Sequence, residues 1–212
     1  MVASLALVIA AGVLAGCNIV APAVLLVQGP PKVPREFTLD RGRVTAIMLD
    51  DPDSIVPSMA YRRELLATAQ RQLASRAKVK DVVDSREVMA TLQRDSAEQS
   101  MSIVGIGRAI GAEQIIWVRV ERFRLAADTG ELRPNSRLRV KVIDVANNER
   151  LWPEPDSSGH VLDVTMPVRP DFVPSSGHEQ RQALDDLAAY SGRAVSELFY
   201  NEERVLSARA GN

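Results

Sequence analysis

The chain has 212 residues, enough for one domain with a substantial core. An apolar content of 46%, a charged content of 25% and a net charge of −1 are those of a folded globular protein, and they exclude a basic nucleic-acid binder and an acidic tail. Aromatics at 4% leave few platforms for stacking bases or sugars, and a single cysteine excludes an internal disulfide framework and any Cys-rich metal site.

The first element is the apolar run VASLALVIAAGVLAG over residues 2–16, which carries no charge and ends in small residues. It is short for a membrane span of about 20 residues and has the length of a signal-peptide core. No Lys or Arg precedes it, a departure from the usual positive start of a secretory signal. The next residue is the lone cysteine, Cys17. The tetrapeptide Leu14-Ala15-Gly16-Cys17 resembles the lipobox of bacterial lipoproteins. That resemblance implies cleavage of residues 1–16, with Leu14, Ala15 and Gly16 read by the signal peptidase. It also implies acylation of Cys17, palmitate being the usual chain, and a membrane anchor facing the periplasm. Each buried CH₂ of such an anchor contributes about 0.8 kcal/mol. The alternative is an uncleaved apolar helix continued through Ile19–Val27, which Asn18 and Pro22 interrupt. Asn18 occupies the place where Asp signals inner-membrane retention in some bacteria, which leaves both membranes open.

Residues 17–36 read as the lipidated cysteine and a tether, since QGPPKVPRE (28–36) holds three prolines and favours extended chain. A single α/β domain is expected over 37–212. RVTAIMLDD (43–51) is a buried strand ending in a turn at Pro52. Ser58 caps a helix over 58–76, with Tyr61, Leu65, Leu66, Ala69 and Leu73 on one face. KVKDVVD (78–84) reads as a short strand, residues from Ser85 as a helix capped by Asp84 or Ser85, and 101–110 as a further helix. EQIIWVRVERFRLAA (113–127) is a long strand with Ile116, Val118, Val120 and Phe123 on one side. TGELRPN (129–135) signals a hairpin turn. The next strand alternates strictly, Leu138, Val140 and Val142 against Arg137, Arg139 and Lys141. VANNERLW turns tightly into another short strand, and 159–167 adds an edge strand. From Ser175 to about Leu206 the pattern is helical. The order β-α-β-α-α-β-β-β-α predicts a mixed sheet of about five strands with helices packed on it.

The three glycines of GIGRAIGAEQIIWVRV (105–120) are spaced G-x-G-x-x-x-G and precede a strand. A dinucleotide loop needs the opposite order, strand before helix, because phosphate sits at a helix amino terminus. They read instead as close packing by Gly105 and Gly107 and as helix termination at Gly111. The stretch IGRAIGAEQIIWVRVERF resembles a helix–strand unit of bacterial envelope lipoproteins: the curli-secretion lipoprotein, the penicillin-binding-protein-activator lipoprotein and the amino-terminal domain of TolB. The likeness is one of pattern and order over residues 43–152, with Arg119 standing where these families often have glycine. It implies protein–protein interaction at the envelope rather than chemistry.

Two clusters stand out. Asp50, Asp51 and Asp53 follow the first strand, where open α/β sheets bind ligands and where carboxylates suit Mg²⁺ or Ca²⁺. The same residues equally make a turn around Pro52 that caps the next helix. Arg119, Arg137, Arg139 and Lys141 form a basic stripe, read as a solvated face paired with acids or as a docking surface for an acidic partner or lipid headgroups. His160 and His178 are expected in surface loops, Trp117 in the core, and Trp152 as a loop anchor. No G-x-S-x-G elbow accompanies the serines. The reading is a lipid-anchored, non-enzymatic envelope protein without cofactor, binding another envelope protein, with self-association open and no nucleic acid. The alternatives are an enzyme using Asp50, Asp51 and Asp53, and a ring-forming secretion component.

Overall fold

The computed structural model describes residues 32–98, 101–126, 132–167 and 176–203. The proposed signal sequence, Cys17 and residues 129–131 of the expected TGELRPN turn lie outside them, while residues 132–135 of that stretch belong to a strand instead. Two compact units are present. In one, described at residues 32–34 and 201–203, β1 (Lys32–Val33) pairs antiparallel with β7 (Glu202–Glu203).

The other unit, Arg35–Tyr200, is an α/β domain built on a mixed five-stranded sheet. In chain order it contains β2 (Thr45–Asp50), α1 (Met59–Gln72) with a π-helical turn at Leu73–Ala77, α2 (Ser85–Glu98), α3 (Ile103–Ala109), β3 (Gln114–Ala126), β4 (Leu132–Asp144), β5 (Glu149–Trp152), β6 (His160–Thr165) and α4 (Gly177–Glu197). β2 runs parallel to β3, as a strand reached through helical crossovers must, and β3 pairs antiparallel with β4. β5 and β6 share the far edge of β4, β5 against Val142–Asp144 and β6 against Asn135–Val140.

Alternation along the strands divides the core. Ile47 and Leu49 of β2, Ile116 and Val118 of β3, and Leu138 and Val140 of β4 face α1 and α4. Ala46 and Met48 of β2, with Ile115 and Trp117 of β3, face α2 and α3. Irregular pairing between Val120 and Arg122 brings Phe123 onto the α1/α4 side, where it is 6% exposed. Ser136 and Ser191 join β4 to α4 through hydroxyls 2.7 Å apart in the interior.

Three local outcomes differ from the pattern. Residues 78–84 form no strand but one parallel bridge, Thr45 to Val82, because Lys78 turns the chain at φ 60° and Asp84 already caps α2 by accepting from Arg86 N–H at 2.8 Å. α4 stops at Glu197 instead of continuing toward Leu206: Leu198, Phe199 and Tyr200 turn into the core, and the Leu198 carbonyl accepts from the N–H groups of Glu36 and Phe37. His160 lies in β6 rather than a loop, its ring 4.7 Å from that of Trp152, and His178 is in the first turn of α4.

The glycines do packing work. A Cβ on Gly107 would sit 2.5 Å from Ile115 Cδ1, so α3 lies directly against β3. Gly111 ends that helix at φ 67°, the left-handed region. A glycine the pattern does not single out, Gly192, brings α4 onto the α1 backbone: its Cβ would meet the Leu65 carbonyl oxygen at 2.1 Å.

Candidate functional site

β2 ends at Asp50, and a cavity of about 600 Å³ opens beside that end, between α1, α2 and α3. Met48, Leu66, Ile106 and Trp117 are among its apolar lining residues. Met59, Met89 and Met101 also border it, so four of the chain's six methionines line one space. Methionine is unbranched and polarizable, which suits a surface that adapts to different apolar shapes. Asp50, Asp51, Ser54, Arg62 and Gln93 supply its polar side chains. The carboxyl end of a strand in an α/β sheet is where such folds place ligands.

The three aspartates divide between two tasks. Asp51 is buried, its side chain 2% exposed, and both oxygens are engaged. Oδ1 accepts from Ile55 N–H at 2.8 Å, Oδ2 accepts from Val56 N–H at 3.0 Å, and Arg62 Nη2 lies 3.0 Å from Oδ2. This carboxylate therefore shapes the 51–56 turn, in which Ser54 takes φ 52°. Asp50 and Asp53 both face Arg119, at 3.3 and 3.6 Å. Among the described residues no group of three or more His, Cys, Asp or Glu side chains converges in a way that could hold a metal ion.

The basic stripe falls on the sheet face that α2 and α3 cover only in part. The register sets Trp117 opposite Lys141 and Arg119 opposite Arg139. Facing cations repel across a sheet, and carboxylates offset this here. Arg137 holds Asp163 through two parallel bonds of 2.7 and 2.8 Å, and Arg139 donates to Glu121 at 2.5 Å and to the Ser158 hydroxyl. The Arg137 guanidinium pulls the Asp163 carboxyl below the usual carboxylate range. Lys141 has no carboxylate partner among the described residues; its ammonium sits 4.7 Å from the centre of the Trp117 ring. Burial there, followed by the charges of Arg150, Arg139 and Arg119, pushes its pKa down.

Arg62 and the four methionines are functional candidates that motif reading does not reach. Arg62 lies in the arginine-rich face of α1, where a solvated role is the ordinary expectation. The methionines stand at positions 48, 59, 89 and 101, too dispersed to form a pattern.

No family model and no curated protein matches the chain. Among solved structures it is similar to the PelC dodecamer from Paraburkholderia phytofirmans, with 14% identity over 79% of this chain and 93% of that one and a TM-score of 0.44. It is similar to lipoprotein GNA1162 from Neisseria meningitidis, with 10% identity over 59% and 83% and a TM-score of 0.41. It is also similar to the LpoB C-terminal domain from Escherichia coli, with 14% identity over 69% and 94% and a TM-score of 0.35. At such identities these are likenesses of fold alone.

Proposed function

We propose that this chain is a lipid-anchored protein of the bacterial envelope that faces the periplasm and works by binding another protein rather than by catalysis. The observation that carries the binding role is the contrast at the end of β2. The carboxylates there are taken up by Arg62, Arg119 and main-chain N–H groups, while the open surface is a cavity bordered by four methionines. Such a site is built to take apolar groups, and its charges serve its own architecture. The anchor rests on Leu14-Ala15-Gly16-Cys17 at the end of an uncharged apolar run. No helix among the described residues is long and apolar enough to cross a membrane.

Mass spectrometry of the amino-terminal peptide from the host membrane fraction tests the anchor. The expected result is a peptide beginning at Cys17 with added acyl mass, lost in Cys17→Ala together with membrane association. An intact peptide spanning residues 1–30 without acyl mass would overturn it. Crosslinking in the intact envelope tests the binding role: a reproducible adduct with one other protein is expected, and its absence from every surface position would overturn that part.

A further inference from the structure

β2 is the outer strand of the sheet on its side. In a parallel strand, the main-chain groups of alternate residues point to opposite edges. Thr45 points outward, since its N–H donates to the Asp81 carbonyl at 2.9 Å and its own carbonyl accepts from Val83 N–H at 2.9 Å. Ile47 and Leu49 follow at two-residue spacing and point the same way. The neighbouring chain turns into α2 at Ser85, so the ladder stops after one bridge. Among the described residues no donor or acceptor meets the outward main-chain groups of Ile47 and Leu49. Both residues are buried, at 2% and 9% exposure, where main-chain groups are nearly always paired. Leu49 borders the methionine-lined cavity.

We propose that this cavity and the free edge of β2 together form a groove for an extended segment of a partner protein. The proposal rests on the protein-binding reading above and names its site. The segment lies along the cavity end of β2 and exchanges main-chain hydrogen bonds with Leu49, the outward-pointing residue that borders the cavity. Its alternate side chains enter the two sides of the groove, toward Met59 and Leu66 or toward Ile106 and Trp117. An acyl chain would fill the same space but leave the strand edge unpaired.

The test uses the full-length protein in lipid nanodiscs with ¹³C-methyl methionine. The probes are a blocked peptide of alternating Val and Thr with a Lys at each end, the same peptide with every main-chain nitrogen methylated, and decanoate. The first peptide is expected to shift the methyl signals of Met48, Met59, Met89 and Met101, to leave Met166 in place, and to slow amide exchange at Leu49 at least tenfold. The methylated peptide should do neither. Equal shifts with both peptides, shifts with decanoate alone, or no shift at millimolar peptide would each overturn the groove. A photocrosslinker scan in the native envelope separates this from the wider reading. Adducts elsewhere with none at Met59 or Leu92 would remove the groove and leave protein binding standing; no adduct anywhere would remove both.

Discussion

Replacing Gly192 by alanine sets two effects against each other. Helix propensity favours alanine over glycine in the interior of α4 by about 1 kcal/mol. Against it, the new Cβ would lie 2.1 Å from the Leu65 carbonyl oxygen, 3.0 Å from the Leu65 carbonyl carbon and 3.2 Å from Ala69 N. These are main-chain atoms of α1, so no side chain can rotate away, and the two helices must part by about 1 Å to restore contact distance. Overpacking of this kind costs about 1–3 kcal/mol, and a backbone obstacle puts the cost at or above the top of that range. The net expectation is a loss of about 2 kcal/mol, or roughly 4–8 °C in melting temperature for a domain of this size. Urea unfolding followed by circular dichroism measures it, with Gly105→Ala as the control. There the added Cβ meets Met101 Cβ at 3.3 Å and Ser102 Oγ at 3.4 Å, and stability should hold within about 1 kcal/mol. If Gly192→Ala proves as stable as wild type with an unchanged denaturant slope, the helices do not cross at contact and the packing argument fails.

Gly107→Ala should also destabilise, but its obstacles are the side-chain tips Ile115 Cδ1 at 2.5 Å and Val145 Cγ2 at 2.9 Å. Adding Ile115→Val removes the nearer tip, so the double variant should recover part of the loss, and additive losses in a double-mutant cycle would contradict this. Asp51→Asn should lower stability by about 1–3 kcal/mol, because Arg62 loses its counter-charge while the buried turn keeps its donors. A denaturation midpoint unmoved by this change would show that the turn does not depend on the carboxylate. Asp144 titrates below the ordinary carboxylate range because it accepts from Asn147 N–H at 3.0 Å and pairs with Arg43 at 3.0 Å. The folded state therefore holds this proton less tightly than the unfolded chain. Its stabilisation is complete above about pH 4 and is lost as pH falls through the lowered folded value. Asp144→Asn should accordingly be less stable than wild type at pH 7, with the gap narrowing on acidification; a gap constant with pH would refute it.

Much of the architecture is legible along the chain, because side-chain periodicity is a local property. Tyr61, Leu65, Leu66, Ala69 and Leu73 mark the inner face of α1, and all are buried. Leu138, Val140 and Val142 mark the inner face of β4 and are fully enclosed. The reversed glycine order before β3 reads as a helix that stops and packs, and Gly107 and Gly111 take those parts. Residues 78–84 have the composition of a strand, but the tight turn at Lys78 and the capped start of α2 leave room for one bridge. Composition is silent on that spatial limit.

The sequence by itself determined the class of fold, the order of its elements and their buried faces, since each depends on residues within a few positions of one another. The tertiary structure alone decided how the clusters combine. Asp50 meets Arg119 across 69 positions, so an acidic group and a basic stripe that read as separate surfaces neutralise each other. Four methionines that share no spacing border one cavity because α1, α2 and α3 converge at the end of β2. Gly192 matters because α1 lies against it, and among the described residues the ladder on the outward edge of β2 stops at Thr45 because α2 begins two residues after Val83. Contacts of this kind depend on where distant segments arrive in space, which local periodicity does not encode.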